Sequence, residues 1–130
     1  MLKNHYNIGV EATIDVLGGK WKPVVLCHLK DNGTMRTSEL KRAIPNITQK
    51  MLTQQLRELE EDSIIERIVY QQVPPKVEYK LSDYGKTLSE ILSSLCKWGE
   101  FHVAKMHDEG RPVSLEKQDF INIPDLVSSE

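Results

Sequence analysis

The sequence predicts an α+β fold that is mainly α-helical, for three reasons. Two helical segments, residues 39–44 and 48–62, are joined by a short Pro45-Asn46 connection. Directly after them the pattern changes from helical spacing to extended runs rich in Ile, Val and Tyr. Further helical patterns lie on both sides of this central part. Two closely joined helices followed by a β-hairpin form a winged helix-turn-helix domain, here with flanking N- and C-terminal helices that we expect to support dimerisation.

The first flanking helix is predicted over residues 10–17. Val10, Ile14 and Leu17 lie on one side of it at helical spacing. Gly18-Gly19 then breaks the pattern, because successive glycines disfavour a helix. We therefore expect one short helix with a single apolar side.

A second helix is predicted to open at Lys20-Trp21-Lys22-Pro23, since proline is tolerated in the first turn of a helix. Trp21, Val25 and Leu29 are expected to form its buried stripe. The two lysines of the opening stand where free N–H groups and ammonium charge could hold a phosphate group. Two ordinary surface lysines explain them equally well.

A turn at Asp31-Asn32-Gly33 and a small strand at Thr34-Met35-Arg36 precede the third helix. Thr37 or Ser38 is predicted to cap this helix, which runs over residues 39–44. The helix that follows it, over residues 48–62, has a buried stripe made of three leucines, Leu52, Leu56 and Leu59. Thr48 suits its N-cap, and Ile47 just before it can pack onto the first of these leucines.

The exposed face of the 48–62 helix separates hydrogen-bond donors from acids. The donors occupy its N-terminal half and are Gln49, Lys50, Thr53, Gln54 and Arg57. The acids occupy its C-terminal end and are Glu58, Glu60, Glu61 and Asp62. Acids normally favour a helix N-terminus, where the macrodipole is positive, so an anionic partner there would explain the arrangement. DNA is such a partner, because a recognition helix reads bases with its N-terminal residues. A solvated face of accidental polarity is the alternative.

A β-hairpin is predicted from the extended runs at residues 64–73 and 77–81. Pro74-Pro75 cannot donate to a strand ladder and is therefore placed at the hairpin tip. Lys76 and Gln71-Gln72 near this tip could reach the DNA backbone or the minor groove. Any exposed hairpin also needs a polar tip, which is the structural explanation of the same residues.

Ser82 is predicted to cap a long C-terminal helix. One stripe of that helix consists of Leu88, Leu92, Leu95, Gly99 and His102, and its apolar surface is widened by Ile91, Trp98 and Phe101. So broad an apolar surface at the edge of a small domain usually needs a second protein surface. We therefore expect a homodimer, which would match a two-fold DNA site.

Length and composition fit one domain over residues 1–110 and a C-terminal tail over residues 111–130. The tail is too apolar to be wholly disordered, but its fold is not assigned. Its apolar residues include Val113, Leu115, Phe120, Ile121, Ile123 and Leu126. The absence of a signal peptide, of a membrane-length apolar run and of a disulfide pattern leads us to expect a cytoplasmic protein.

The net charge of −2 is unevenly distributed along the chain. From Lys20 to Lys80 there are 11 Lys and Arg against 8 Asp and Glu, whereas from Leu81 to Glu130 there are 5 against 9. A weakly basic middle and an acidic end suit a small DNA-binding surface on an otherwise acidic protein.

Five motifs occur in the order found in one known family: Val10-Glu11-Ala12-Thr13, Gly18-Gly19-Lys20-Trp21, the run from Leu52 to Asp62, Pro74-Pro75-Lys76-Val77-Glu78-Tyr79 with Leu81, and Leu95-Cys96-Lys97-Trp98-Gly99. Through these motifs, residues 9–102 resemble the HxlR-type winged helix-turn-helix regulators, relatives of the MarR group. The resemblance implies a dimeric DNA-binding transcription regulator whose dimer is built from its first and last helices. The residues expected there are Val10, Ile14, Leu88, Ile91, Leu92, Leu95, Trp98 and Phe101.

The sequence departs from the family pattern at two places. Some members sense oxidants through a Cys-Pro pair, where this chain has Ile8-Gly9. Any redox role would therefore fall on Cys27 or Cys96, which we expect to be buried as small hydrophobic side chains. Ser63 stands where the family usually has the glycine that ends the recognition helix. If that residue is left-handed, serine should cost about 1 kcal/mol.

The sequence also bears on three other functions. An enzyme is not expected, and neither is a cofactor or a metal, because the four histidines lack metal-ligand spacing and no phosphate-binding glycine loop is present. A winged-helix module that binds protein without DNA would more often expose apolar anchors on its recognition helix. A third hypothesis adds a small-molecule effector bound near Trp21, Trp98 and Phe101.

The function predicted from the sequence is a sequence-specific, double-stranded DNA-binding transcriptional regulator that acts as a homodimer on an inverted repeat. Two copies of the 48–62 helix would enter successive major grooves, roughly 34 Å apart. The residues expected to read bases and touch nearby phosphates are Gln49, Lys50, Thr53, Gln54 and Arg57. Those expected to contact phosphate alone are Arg36, Thr37, Ser38 and Lys76.

Overall fold

The computed structural model describes residues 4–116, which divide into two compact units after Ser89. The first unit holds four helices and three strands, and the second holds most of the last helix. In chain order the elements are α1 (Gly9–Leu17), α2 (Lys22–Asn32), β1 (Met35–Arg36), α3 (Thr37–Ala43), α4 (Gln49–Glu61), β2 (Ile65–Tyr70), β3 (Lys76–Leu81), a 3-10 helix (Gly85–Leu88) and α5 (Ser89–Asp108). No helix in the described part of the chain is long and apolar enough to cross a membrane.

Helix α4 forms as its sequence predicts. The Thr48 side chain caps it by accepting a hydrogen bond from the Met51 backbone N–H at 3.1 Å. Its three leucines are buried, and so is Ile47 just before the cap. Satisfying one of the free N–H groups and burying the leucine stripe together fix both the start of α4 and its rotation.

Helix α3 begins earlier than predicted. Arg36, and not Thr37 or Ser38, occupies the N-cap position, with an extended backbone at φ −82° and ψ 159°. Its N–H donates to the Glu39 carboxylate at 2.8 Å, so a side chain within the helix closes the first turn. The prediction was wrong because β1 carries the extended conformation up to Arg36 and the helix follows at once.

The sheet is antiparallel with the strand order β1-β3-β2. The β2–β3 hairpin is in register from Ile65 opposite Leu81 to Tyr70 opposite Lys76, which leaves residues 71–75 as its tip. The predicted hairpin, with both prolines at the tip, is therefore confirmed. The helix-turn-helix followed by this hairpin is a winged helix, in an α+β fold that is mainly α.

The link from the hairpin to the last helix differs from the prediction. The Ser82 hydroxyl accepts a hydrogen bond from the Gly85 N–H at 2.8 Å, as a cap does. It opens only the short 3-10 helix, however, and α5 starts seven residues after Ser82 at Ser89. The Ser82 N–H donates to the Ile64 carbonyl at 3.0 Å and the Ser82 hydroxyl donates to the Ser63 carbonyl at 2.6 Å, so this link is anchored to the segment just before β2.

Burial of the predicted stripes is mostly confirmed. Val25 and Leu29 of α2 are fully buried, whereas Trp21 is only half-buried, so its assignment to the same stripe was wrong. It precedes the helix as its N-cap residue. Ser63, directly after α4, has φ 63° and is therefore left-handed as the family pattern implied. Residues 117–130, which include the predicted apolar tail residues Phe120, Ile121, Ile123 and Leu126, lie outside the described range.

Candidate nucleic-acid interface

The first nine residues of α4, 49–57, present one continuous polar face. Its members are all exposed and lie away from the buried leucines: Gln49, Lys50, Thr53, Gln54 and Arg57. The first turn of α4 carries no acidic residue. Free N–H groups, the positive end of the helix dipole and two cationic side chains therefore share this face, which makes it attractive to an anion.

Two hydrogen bonds order side chains on this face. The Gln49 amide donates to the Thr53 hydroxyl at 3.4 Å, and the Gln54 amide donates to Oε2 of Glu58 at 3.1 Å. Both pairs span one helical turn, the spacing at which side chains meet. Long side chains held in this way lose less conformational entropy when they bind.

Behind this face, an ion pair connects α2 to α4. Nζ of Lys22 lies 2.6 Å from Oε1 of Glu58. Lys22 is only 9% exposed, so the prediction that it could hold a phosphate group was wrong. The hydrogen bond from Lys22, and after it the one from Gln54, lowers the pKa of Glu58. Sequence reasoning missed this pair because the two residues are far apart in the chain.

The start of α3 contributes a second polar group of residues. Arg36 and Ser38 are exposed, while Thr37 is half-buried. Lys20, at the opening of α2, is exposed, and its Nζ lies 4.7 Å from the centre of the Trp21 ring. These side chains are accessible, and the cations among them can meet phosphate oxygens.

At the base of the hairpin tip, Lys76 already has partners within the chain. Its Nζ lies 4.7 Å from the centre of the Tyr70 ring and 3.7 Å from a carboxylate oxygen of Glu78. A hydrogen bond to the same carboxylate raises the pKa of Tyr70. The tip itself is exposed, and Val73 is 99% exposed. Lys76 therefore reaches a phosphate only in competition with Glu78.

The residues predicted for dimerisation differ in exposure. Val10 and Ile14 of α1 are exposed, and so are Ile91, Leu95 and Trp98 of α5. Leu88 and Phe101 are half-buried. Leu92 is fully buried within its own chain, so its assignment to a dimer contact was wrong. Periodicity placed Leu92 on an apolar stripe, but it cannot say whether a stripe packs inside the chain or against a partner.

The two cysteines also differ from expectation. Cys96 is exposed and Cys27 is intermediate, so the prediction that both are buried was wrong. Cys96 lies in a helical pattern next to Leu95, yet α5 extends far enough that much of its surface is accessible. Among residues 4–116 no cluster of three or more His, Cys, Asp or Glu side chains could hold a metal ion.

An open cavity of about 180 Å³ lies in the first unit. It is lined by residues of α1, of the hairpin start and of the 3-10 region, namely Ala12, Thr13, Val16, Ile64, Tyr84, Thr87 and Leu88. It is smaller than the roughly 300–1,000 Å³ of most small-molecule sites. None of Trp21, Trp98 and Phe101 lines this cavity, so it is not the effector site that the small-molecule hypothesis names.

Comparison with known proteins agrees with the winged-helix geometry. Residues 16–107 match the HxlR-like helix-turn-helix family. The uncharacterized HTH-type transcriptional regulator YtcD of Bacillus subtilis is 64% identical over 109 residues, which cover 84% of this chain and 86% of YtcD. A crystal structure of ytcD is similar with a TM-score of 0.70 at 65% identity, over 75% of this chain and 98% of that one. The redox regulator HypR in its oxidized form is similar with a TM-score of 0.69 at 54% identity, over 72% of this chain and 95% of HypR.

Proposed function

Since the chain belongs to the HxlR-like helix-turn-helix family, we propose that this transcriptional regulator binds double-stranded DNA sequence-specifically, as a homodimer on an inverted-repeat operator. The observation that carries the proposal is the exposed, acid-free N-terminal half of α4. A helix of this kind reads base edges when it enters the major groove. The same face lacks a row of apolar anchors, so a module that binds only protein is the weaker candidate.

Within this proposal the exposed side chains divide by role. Arg57 and Gln54 are the strongest candidates for base edges, since guanidinium and amide groups pair with purines in the major groove. Lys50 supplies charge toward nearby phosphates, as Arg36 does from the start of α3, where the Ser38 hydroxyl can donate a hydrogen bond to them. The phosphate contacts would set the register of α4 on the duplex without reading sequence.

The homodimer is supported by apolar side chains that the chain leaves exposed. Trp98 is 63% exposed and Leu95 is 50% exposed on α5, and Ile14 is 58% exposed on α1. Apolar side chains of this size are common in the buried cores of dimer interfaces. A two-fold dimer would place two α4 helices roughly 34 Å apart, in successive major grooves. An effector that alters the dimer helices would change this spacing and thereby the affinity for DNA.

Selection of bound fragments from random double-stranded DNA tests the proposal directly. We expect an inverted repeat to emerge and its affinity to fall steeply with salt. Arg57→Ala should weaken binding to the selected duplex by about 1–3 kcal/mol, or roughly 5- to 150-fold. Arg111→Ala, which removes an exposed arginine outside α4, is the matched control and should bind normally. Selection without enrichment, together with salt-independent binding, would contradict the proposal.

Sedimentation of the full chain tests the dimer separately. Trp98→Lys places a charge where a second chain would cover it and should raise the dimer dissociation constant at least tenfold, since burying an unpaired charge is costly. Val69→Lys is the matched control, because Val69 is similarly exposed on β2 but lies outside the proposed interface. A wild-type protein that sediments as a monomer at micromolar concentration would refute the dimer.

A further inference from the structure

We propose that Glu58 is a positioning residue for base readout: held by Lys22, its carboxylate fixes the side-chain amide of Gln54 in one of its two orientations. Glu58 would thereby determine which base Gln54 accepts. The inference rests on the proposed function, because Gln54 reads DNA only if α4 enters the major groove.

The geometry divides the two carboxylate oxygens of Glu58 between two partners. Oε1 lies 2.6 Å from Nζ of Lys22, and Oε2 accepts a hydrogen bond from Nε2 of Gln54 at 3.1 Å. The Lys22 side chain is 11% exposed, whereas Gln54 lies on the exposed face of α4. These contacts link three side chains in a row: the buried ammonium of Lys22, the half-buried carboxylate of Glu58 and the exposed amide of Gln54.

Lys22, at the buried end of this row, restrains Gln54 at the exposed end through Glu58. A largely buried ammonium that lost its carboxylate would be left with an uncompensated charge, which is strongly unfavourable. Lys22 therefore keeps Glu58 from turning away into solvent. Because Glu58 lies one helical turn after Gln54, its second oxygen stays within reach of the amide.

The carboxylate also selects the orientation of the amide. An ionised carboxylate can only accept hydrogen bonds, so the NH₂ group of Gln54 must face it. The carbonyl oxygen and the second N–H of Gln54 remain available for a base. One acceptor and one donor are the pair that recognises adenine, through its N6 amino group and N7. The opposite orientation would commit the carbonyl oxygen and leave mainly donors.

Electrostatics explains why an acid is compatible with this position. A free carboxylate near the DNA-facing half of α4 would repel phosphate groups. The ammonium of Lys22 compensates the charge of Glu58, and the same contact lowers the pKa of Glu58 because it favours the ionised carboxylate. The acceptor that orients Gln54 is therefore present without a strong net negative field.

The test measures discrimination between bases with the full chain. Wild-type protein is titrated against the selected duplex and against duplexes changed at each base pair of one half-site. Gln54→Ala identifies the base pair that Gln54 reads by a loss of discrimination there, expected to be about 5- to 150-fold. Glu58→Gln should reduce discrimination at that same base pair at least fivefold. The amide introduced at position 58 must turn its oxygen toward Lys22, so its NH₂ group faces Gln54 and favours the opposite orientation of the Gln54 amide. Discrimination at the other base pairs should stay within twofold.

Matched variants separate positioning from charge and from folding. Glu61→Gln makes the same charge change at an exposed position of the same helix and should leave every base preference unchanged. Glu58→Asp keeps the charge but shortens the reach, so it should also lose discrimination at the Gln54 base pair and remains informative if Glu58→Gln folds poorly. Thermal unfolding of each variant establishes that the folded protein is compared.

Two kinds of failure are distinguishable. If wild-type protein binds selectively and both Glu58 variants keep full discrimination at the Gln54 base pair, or weaken binding to every duplex equally, the positioning role is overturned and the proposed function stands. If wild-type protein shows no salt-sensitive binding to any duplex, the proposed function is overturned, and the role of Glu58 with it.

Discussion

Gly85 lies against the backbone carbonyl of Ile64 so closely that a side chain would not fit between them. A Cβ atom on Gly85 would overlap the Ile64 carbonyl oxygen far inside van der Waals contact. The same oxygen accepts a hydrogen bond from the Ser82 N–H at 3.0 Å, while the Ser82 hydroxyl donates to the neighbouring Ser63 carbonyl at 2.6 Å. The Ile64 carbonyl thus connects the segment between α4 and β2 to the turn that follows β3.

Gly85→Ala is therefore expected to destabilise the protein. The backbone at Ile64 must move and its hydrogen bonds must stretch, as in overpacked cores, where the cost is about 1–3 kcal/mol. Denaturant unfolding followed by circular dichroism measures the loss. Gly9→Ala is the control, since a Cβ at Gly9 meets nothing within 4 Å. Equal stability of the two variants would show that the backbone at Ile64 yields easily.

The ion pair between Lys22 and Glu58 should make stability depend on pH. The pKa of Glu58 is lowered in the folded protein, first by Lys22 and then by Gln54. The ion pair therefore contributes its full stability above the ordinary pKa of a glutamate in the unfolded chain, and this contribution is lost as pH falls through the lower folded-state pKa. We expect the difference in free energy of unfolding between wild type and Glu58→Gln to shrink from pH 7 to pH 3. A constant difference for Glu58→Gln would argue against the pair.

Ser63→Gly should stabilise the protein. Ser63 has φ 63°, a left-handed conformation that glycine adopts without the steric cost of a Cβ. The expected gain is about 1 kcal/mol in the free energy of unfolding, with unchanged affinity for DNA. Ser94→Gly, at an exposed site inside α5, is the opposite control and should lose roughly half a kcal/mol. Destabilisation by Ser63→Gly would mean that the serine side chain has a compensating role.

The contribution of Lys76 to DNA binding should depend on Glu78. Lys76→Ala is expected to lower the slope of log affinity against log salt by less than one unit, because Glu78 already lies 3.7 Å from Nζ. In a Glu78→Gln background the same substitution should lower the slope by about one full unit. Equal slopes with and without Lys76 in both backgrounds would assign the residue to the hairpin alone, through its contact with Tyr70.

Most of the fold could be predicted from local sequence patterns, because the interactions that determine its helices and its hairpin are local. Helix α4 needs only the Thr48 cap and leucines at helical spacing, and both lie within a few residues of one another. The hairpin needs two extended runs and a tip that contains prolines. The left-handed residue after α4 was anticipated only through the family resemblance, since serine by itself does not signal that conformation.

Side chains on apolar stripes were harder to assign. Leu92 and Leu95 share the pattern of one helix, yet Leu92 is fully buried and Leu95 is half exposed. Cys96, next to them in the chain, is exposed as well. Helical spacing states which residues share a side, but the amount of each side that the rest of the chain covers is a property of packing.

By itself the sequence determined the winged helix, the polar face of α4, the Thr48 cap and the position of the hairpin tip, because each depends on neighbours in the chain. Only the tertiary structure decided which charges remain available on the surface. It buried Lys22 against Glu58, far along the chain, and placed Lys76 over the ring of Tyr70 on the neighbouring strand. The physical reason is that an ion pair forms wherever folding brings opposite charges within a few ångströms, and sequence separation does not reveal that distance.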